Sequence, residues 1–363
     1  MRPMIDAHLD LAFNALYFNR DLLASIADVR ESERGMDDEL ARGRSTVTLP
    51  ELRRSRVFLC VATLLCRSGP DQRPYRSFKR GDVDYVNQTT AYAHAKAQLA
   101  YYRLLEEQGH LRFITNRAQL TAHWEEWQAA PDAAPLGIIL SMECADPIVS
   151  PNQVQKWWSE GLRAVGPAHY KRGHYAYGTA SDGPLGEAGV RLLDEFMRVG
   201  MILDVTHLSD QSFFEAAAIY DGPVLASHQN CRSLVPGDRQ FSDEQITALI
   251  QRDAVIGTAF DAWMLYPGWK RGETLPEVAG IEAAAGHIDH ICQMAGNARH
   301  CALGTDLDGR FGTEQTPRDL DTIMDVHALE GILTRRGYSD GDIDAIFFEN
   351  WLRFFGNAPR LSD

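Results

Sequence analysis

The feature that most constrains this chain is a repeated alternation of short apolar runs with helical patterns. Each run is rich in strand-favouring residues and ends in polar ones. A continuously apolar run is typical of a parallel strand that is covered on both faces. Eight such runs predict eight strands: Met4 to Leu11, Arg56 to Leu65, Gly137 to Ala145, Ala164 to Tyr170, Met201 to Leu208, Val224 to Gln229, Ala254 to Phe260 and Cys301 to Asp306.

Helical patterns fill the intervals between these runs. They are Val86 to Gln108, Gly189 to Val199, Ser209 to Tyr220, a helix that begins at Ser242, Glu282 to Gly296, Leu320 to Arg336 and Ser339 to Phe348. Strands and helices in alternation indicate parallel βαβ units, and eight units favour closure into a (β/α)8 TIM barrel. We therefore expect an α/β protein in which residues 1–363 form one barrel domain, with excursions at Ser68 to Asp84 and Met264 to Glu277.

The charge of the chain restricts its partners. Its 363 residues carry 36 basic and 50 acidic side chains, which gives a formal charge of −14 at pH 7. Phosphate-rich partners are bound by clustered Lys and Arg, so this balance argues against nucleic acid and against an anionic membrane surface. It is compatible with a small-molecule ligand.

From the sequence we expect no targeting signal and no membrane anchor. The N-terminus lacks the features of a signal peptide, no apolar stretch is long enough to span a membrane, and no hydrophobic tail accompanies the final Arg360-Leu-Ser-Asp. The six cysteines form no CxxC pair, so a cysteine zinc site is not expected. We expect a cytoplasmic protein with reduced thiols.

Polar side chains stand at the ends of the predicted strands, where the active site of such a barrel lies. The i, i+2 spacing of His8 and Asp10 puts both side chains on one face of a strand. An imidazole and a carboxylate are suitable ligands for Zn²⁺ or a similar ion. His207 and His228 are candidates to hold a second ion, and the two oxygens of Glu143 are suited to bridge both.

Two further strand ends carry candidate groups for acting on a substrate. Two metal ions at roughly 3.5–4 Å share one hydroxide, which is a nucleophile at neutral pH. Asp306 is placed to take a proton and later give it to a leaving amine. His169 is placed to hydrogen-bond the oxygen that becomes negative in a tetrahedral intermediate.

Each of these residues has a plainer explanation when it is taken alone. A lone histidine in an apolar run is usually a core residue, and a single His-x-Asp is a weak metal signal. Six strand ends with His, Asp or Glu are harder to explain by packing, because buried charge is costly unless it is paired or metal-bound. We expect Asp308 and Gly309 to form a turn, and Asp6 and Asp204 to orient ligands or cap backbone groups. A Cys144 nucleophile is an alternative that needs an activating base.

Six segments of the chain resemble the membrane (renal) dipeptidase family, the M19 peptidases. They occur in family order and span nearly the whole chain. The segments are Ile5-Asp-Ala-His-Leu-Asp10, Ser141-Met-Glu-Cys-Ala-Asp146, Gly200-Met-Ile-Leu-Asp-Val-Thr-His-Leu-Ser-Asp210, Ala226-Ser-His-Gln-Asn-Cys-Arg232, Gly304-Thr-Asp-Leu-Asp-Gly309 and Asn350-Trp-Leu-Arg-Phe-Phe355.

The resemblance implies a (β/α)8 barrel with a binuclear zinc centre. It implies that His8 and Asp10 bind one zinc ion, that His207 and His228 bind the other, and that Glu143 bridges the two. These are the residues that the strand ends also select.

The resemblance also implies roles around the metals. Asp306 becomes the acid and base, and His169 becomes the contact on the oxyanion side. Arg239 becomes the clamp on the substrate carboxylate, for which the guanidinium fork is well suited; the alternative is a surface arginine in a loop. The resemblance further implies a homodimer.

Two segments depart from the family pattern. The stretch from Cys60 to Asp84 lacks the family's Gln-Phe-Trp-like run, and the loop after His169 also differs. Such loops line the substrate pocket of a barrel, so the metal chemistry transfers better than the substrate. We expect a two-zinc dipeptidase whose substrates include dipeptides with a D-residue at the C-terminal position. The alternatives are a metal-dependent hydrolase of another small amide or ester, such as an N-acyl amino acid, and a non-catalytic metal- or ligand-binding barrel.

Overall fold

Parallel strands form the centre of the fold. The computed structural model describes residues 1–69 and 83–358. Their strands are β1 (Met4–Leu9), β2 (Val57–Leu64), β3 (Arg67–Ser68), β4 (Asp84–Tyr85), β5 (Leu111–Phe113), β6 (Leu136–Met142), β7 (Leu162–Val165), β8 (Ile202–Asp204), β9 (Val224–Leu225), β10 (Ile256–Thr258) and β11 (Cys301–Leu303).

Helices surround the strands. They are α1 (Leu11–Tyr17), α2 (Ile26–Ser32), α3 (Leu49–Arg54), α4 (Gln88–Glu107), α5 (Arg117–Ala129), α6 (Val154–Ser159), α7 (Gly186–Val199), α8 (Asp210–Ile219), α9 (Asp243–Gln251), α10 (Ile281–Ala295), α11 (Ala328–Arg335), α12 (Asp340–Asp344) and α13 (Asn350–Asn357). Short 3-10 turns lie at Pro151–Gln153, Ala262–Met264, Pro276–Val278 and Ile323–His327, and a π-helical turn at Ala345–Glu349 joins α12 to α13. No helix in the described part of the chain combines the length and the apolar character needed to cross a membrane.

The strand order is that of a barrel. The sheet runs β1-β2-β6-β7-β8-β9 with parallel pairing throughout. A parallel bridge between Ala226 and Ile256 leads to β10, which pairs with β11. The ring closes between β11 and β1 through the carboxylate of Asp6, which accepts a hydrogen bond from the backbone N–H of Thr305 at 3.0 Å. The predicted (β/α)8 barrel is therefore confirmed.

The observed strands overlap the predicted ones but are mostly shorter. The predicted run from Met201 to Leu208 forms ladder pairs only over Ile202–Asp204, because the chain leaves the sheet soon after Asp204. The sequence pattern does not predict β3, β4 or β5. Of these, β5 pairs with the first residues of β6, and β3 pairs with β4 beside the barrel mouth. Part of the first predicted excursion, residues 70–82, lies outside the described residues.

The helical predictions succeed where capping signals are clear. The helix predicted from Ser242 has its capping box, since Ser242 and Gln245 cap each other's backbone groups. The helix predicted from Leu320 starts late: Thr322 caps a 3-10 turn, and α-helical geometry begins only at Ala328. The pattern does not predict α1, α2, α3, α5, α6 or α13.

The C-terminal helix α13 fixes the last barrel strand. Its Trp351 is fully buried and donates an indole N–H hydrogen bond to the carbonyl of Leu303 at 2.8 Å. Asn350 donates to the carbonyl of Cys301 at 2.8 Å. The Asn-Trp pair of the last family segment thus holds both ends of β11, and with it the loop that carries Asp306.

Candidate active site

A cavity of about 390 Å³ opens at the carboxyl ends of the barrel strands. Every residue of β1, β2 and β6 is buried, and the polar side chains of the cavity lie at or just beyond the strand ends. Each predicted site residue follows or ends a strand: His8 and Asp10 at β1, Glu143 after β6, His169 after β7, His207 after β8, His228 after β9 and Asp306 after β11. Arg239 reaches the same cavity from the loop between β9 and α9.

One carboxylate oxygen lies at the centre of the cluster. Oε1 of Glu143 is 3.3 Å from Nε2 of His207, 3.6 Å from Nε2 of His228 and 3.7 Å from Nε2 of His8. Oδ1 of Asp10 is 3.8 Å from Nε2 of His8. Ligand atoms bonded at about 2.1 Å to a tetrahedral ion lie roughly 3.4 Å apart. These spacings therefore suit ligands around a cation.

Orphaned polar atoms point to the same conclusion. Nε2 of His8 and Oε2 of Glu143 are buried without a hydrogen-bond partner among the described residues. Nε2 of His207 lies 3.2 Å from Nε2 of His228, and two ring nitrogens that both present lone pairs repel at this separation unless a cation lies between them. The residues present thus fit a metal centre.

Hydroxyl groups behind the imidazoles set their orientation. Oγ of Ser227 is 2.9 Å from Nδ1 of His228, and Oγ1 of Thr179 is 3.0 Å from Nδ1 of His207. A hydroxyl that accepts the Nδ1 proton leaves the Nε2 lone pair free for a metal. The sequence patterns do not identify Thr179, which comes from a loop, and they show Ser227 only as the neighbour of His228.

Burial controls the charge of the imidazoles. It lowers the pKa of His8 to about 3, and the nearby guanidinium of Arg239 adds to this effect. Burial also lowers the pKa values of His207 and His228 well below 6.5. The three rings are therefore neutral, which is the state that binds a metal ion.

The carboxylates of the cluster repel one another. Burial raises the pKa of Asp10 to about 6. Burial raises the pKa of Glu143 well above its usual range, and the charges of Asp10 and Asp306 raise it further. The pKa of Asp306 is raised in the same way by burial and by Asp10. Three crowded acidic groups of this kind are stabilised as carboxylates by a cation.

The backbone is strained where the site residues leave their strands. His207 has φ 69°, Asp306 has φ 60° and Asp308 has φ 62°, a left-handed conformation that costs roughly 1–2 kcal/mol per residue. Such outliers cluster at functional sites. Gly309 is required next to Asp306, because a Cβ at this position would collide with the Asp306 carboxylate.

Asp10 lies one residue beyond the strand that carries His8. Strand β1 ends at Leu9, and Asp10 precedes α1 with φ −86° and ψ 50°. The hydroxyl of Thr63 donates a short hydrogen bond to Asp10 Oδ1.

The second pair of acidic residues joins strands. Oδ1 of Asp6 accepts from the backbone N–H groups of His8 and Thr305, both at 3.0 Å. Oδ1 of Asp204 accepts from the backbone N–H of Ser227 at 3.1 Å. Each carboxylate thereby fixes a metal-site segment to the neighbouring strand, which agrees with the predicted cap role.

Arg239 is not a surface residue. Its side chain is buried and lines the cavity. It donates a hydrogen bond to the carbonyl of His228 at 3.0 Å and a short one to Oε1 of Gln229. These contacts hold its guanidinium beside the metal-site residues.

The predicted excursion from Met264 to Glu277 contributes to the cavity wall. Trp269 and Arg271 line the cavity together with Asp261, which follows β10. Asp261 accepts hydrogen bonds from Gln315 at 2.9 Å and from the backbone N–H of Trp263 at 3.0 Å, and burial raises its pKa to about 7. The sequence analysis does not select Asp261, although it too follows a barrel strand.

Cys144 does not resemble an activated nucleophile. It is buried, and burial raises the pKa of its thiol well above 9, an effect to which Asp146 adds. A nucleophilic cysteine needs the opposite shift.

The fold and the site together define a barrel hydrolase of the metal-dependent class.

The comparison with protein families agrees with this class. The sequence pattern of the membrane dipeptidase family, peptidase family M19, matches residues 1–363. This chain belongs to that family, so the resemblance seen in the six segments is confirmed, and the family is one of metallo-dipeptidases.

Individual relatives are distant. Dipeptidase verJ of Clonostachys rogersoniana is 27% identical over 243 residues, which cover 66% of this chain and 58% of that protein. The crystal structure of a dipeptidase named AC, a metallopeptidase of family M19, has a TM-score of 0.78 at 21% identity and 98% coverage of both chains. A metallopeptidase from Rhodobacter sphaeroides, liganded with a phosphinate mimic of the dipeptide L-Ala-D-Ala, has a TM-score of 0.77 at 20% identity, also with 98% coverage of both chains.

Proposed function

We propose that this protein is a binuclear zinc dipeptidase. The observation that supports two ions is that two ligand groups share one residue. His8, Asp10 and Glu143 form one group of ligand atoms within 4.8 Å of one another, and Glu143, His207 and His228 form another. A third group, His8, His228 and Asp306, brings the proposed acid and base next to one ligand of each ion. A carboxylate with two oxygens is suited to serve both.

The donor set favours zinc. Three imidazoles and two carboxylates provide nitrogen and oxygen ligands of the type that Zn²⁺ takes in catalytic sites, where positions stay open for water and substrate. When bound, the two ions lower the pKa of water to give a nucleophile at neutral pH and polarise the scissile carbonyl.

Asp306 is the proposed acid and base. Its Oδ1 lies 3.8 Å from Nε2 of His8, at the edge of the ligand cluster, and its side chain is 15% exposed to the cavity. The carboxylate takes a proton from the attacking water and gives it to the leaving amine.

His169 and Arg239 are the proposed substrate contacts. Nε2 of His169 is 3.3 Å from Oε1 of Glu143, so its N–H faces the region in which the carbonyl oxygen becomes negative. Arg239 is the proposed clamp on the substrate carboxylate. The dipeptide mimic bound by the Rhodobacter sphaeroides neighbour supports small dipeptides, including those with a C-terminal D-residue, as the substrates to test.

The test combines metal content with a substrate panel. We expect about two zinc ions per chain and cleavage of L-Ala-L-Ala or L-Ala-D-Ala that a chelator abolishes and added zinc restores. N-acetyl alanine of both configurations completes the panel. Cleavage of the acyl amino acids without cleavage of any dipeptide would replace the dipeptidase proposal with the amide alternative.

The Asp306→Asn variant tests the acid–base role. We expect it to retain both metal ions and to lose turnover by about 10²- to 10⁴-fold, the usual contribution of a positioned acid or base. Asp132→Asn is the matched control, because Asp132 is exposed and forms a surface ion pair with Arg56, away from the cavity. Turnover near that of the control would contradict the role of Asp306.

A further inference from the structure

One side chain in the cavity wall contacts His169 from behind. Nη1 of Arg67 donates a hydrogen bond to Nδ1 of His169 at 3.1 Å. The other side of the guanidinium forms a two-point ion pair with Asp84, in which Nη2 donates to Oδ2 at 2.9 Å. The guanidinium carbon lies 5.5 Å from the centre of the Tyr170 ring. Arg67 is thus held from three sides, with its side chain only 12% exposed.

This contact determines where the His169 proton resides. A guanidinium has only donors and does not lose its proton in proteins. Nδ1 of His169 must therefore accept, which leaves a neutral ring with its hydrogen on Nε2. Nε2 is the atom that lies 3.3 Å from Glu143 Oε1 at the centre of the ligand cluster.

The ligand histidines have different groups behind them. Nδ1 of His207 faces the hydroxyl of Thr179, and Nδ1 of His228 faces the hydroxyl of Ser227. A hydroxyl oxygen can accept the Nδ1 proton, so these rings can offer Nε2 lone pairs to a metal. His169 lies as close to Glu143 as His207 does, yet its Nε2 carries a hydrogen and has no lone pair to offer.

We propose that Arg67, held by Asp84, is a positioning residue that keeps His169 in the Nε2–H tautomer, so that His169 acts as a hydrogen-bond donor and not as a further metal ligand. The inference rests on the proposed function, because it concerns the donor that faces the reacting carbonyl oxygen. It separates His169 from the ligand rings of His207 and His228 by the group behind each ring.

Nitrogen NMR of the zinc-loaded protein tests the tautomer directly. With ¹⁵N-labelled histidine, we expect His169 to be unprotonated at Nδ1 and protonated at Nε2, and the ligand rings to show the reverse. The His169→Gln variant assigns the signal by its loss. In Arg67→Met the His169 resonances should move toward a mixture of tautomers. A proton on Nδ1 of His169 in the unmodified protein would overturn the proposal.

A double-mutant cycle tests whether Arg67 acts through His169. We expect Arg67→Met to lower kcat by about 10- to 100-fold, less than the loss of a whole oxyanion donor, with KM changed little and zinc content unchanged. The same substitution should have no further effect in the His169→Gln background, and Arg67→Lys should restore part of the rate because an ammonium also only donates.

Arg172→Met is the matched control. Arg172 lies in the loop that carries His169, with its guanidinium carbon 5.6 Å from the centre of the Tyr177 ring, and it is not among the residues that line the cavity. An equal loss in the His169→Gln background would show that Arg67 acts by another route and would overturn the inference. If the unmodified protein cleaves no dipeptide, the proposed function fails, and the NMR measurement still decides the tautomer.

Discussion

Replacing Thr46 by Val tests the anchor that holds the loop after β11. The carboxylate of Asp308 accepts hydrogen bonds from Oγ1 of Thr46 at 2.7 Å and from Oγ of Ser45 at 2.7 Å. It also accepts from the backbone N–H groups of Thr46 at 2.8 Å and Val47 at 3.2 Å. Thr46 and Asp308 are both buried. Because Asp308 follows Asp306 by two residues, this anchor also fixes the turn that presents Asp306.

The expected loss of stability follows from one hydrogen bond. Val has nearly the shape of Thr, so the substitution removes a single hydrogen bond to a charged acceptor, a contribution of about 1.5–3 kcal/mol. The remaining donors keep the carboxylate satisfied. Unfolding entropy is about 2.1 cal/mol/K per residue, or about 0.76 kcal/mol/K for 363 residues. The melting temperature should therefore fall by about 2–4 °C.

Calorimetry on metal-free protein measures this shift without a contribution from metal binding. The control is Thr334→Val, since Thr334 donates its hydroxyl to the carbonyl of Glu330 on an exposed helix face. A surface change of this kind should alter stability by less than about 0.5 kcal/mol. If Thr46→Val melts together with this control, Asp308 is only a turn residue and the anchor argument is wrong.

Two further predictions concern the groups behind the imidazoles and a buried histidine. Ser227→Ala should weaken zinc binding by about 10- to 100-fold, because Nδ1 of His228 loses its partner; zinc titration against a competing chelator measures this, and an unchanged affinity would contradict it. Burial lowers the pKa of His287 from 6.5 to about 4. The unfolded chain therefore binds a proton at this ring as the pH falls below 6.5, while the folded protein does not until the pH approaches 4. The free energy of unfolding should be about 2 kcal/mol lower at pH 5 than at neutral pH. Urea unfolding at pH 7 and pH 5 should show this loss of stability in the unmodified protein and a smaller loss in His287→Asn. The Asn side chain keeps an acceptor for the backbone N–H of Cys231. Equal losses in both proteins would refute the assignment to His287.

Sequence patterns are enough to predict the architecture and to select the candidate metal-site residues that the structure brings together. Apolar runs with helical intervals predict the barrel strands, because local periodicity records which faces are buried. His8, Glu143, His207, His228 and Asp306 stand out for the same reason: they are polar residues at the ends of buried strands, where a parallel barrel brings all its carboxyl ends together.

Tertiary structure alone decided what stands behind those residues. Arg67 meets His169 across 102 positions of sequence, and Asp308 meets Thr46 across 262. No local pattern marks such a contact, since a threonine or an arginine near a strand end is ordinary in any loop. The tautomer of each imidazole and the anchor of the turn that carries Asp306 depend on which single group faces one atom, and only packing of distant segments brings that group into place.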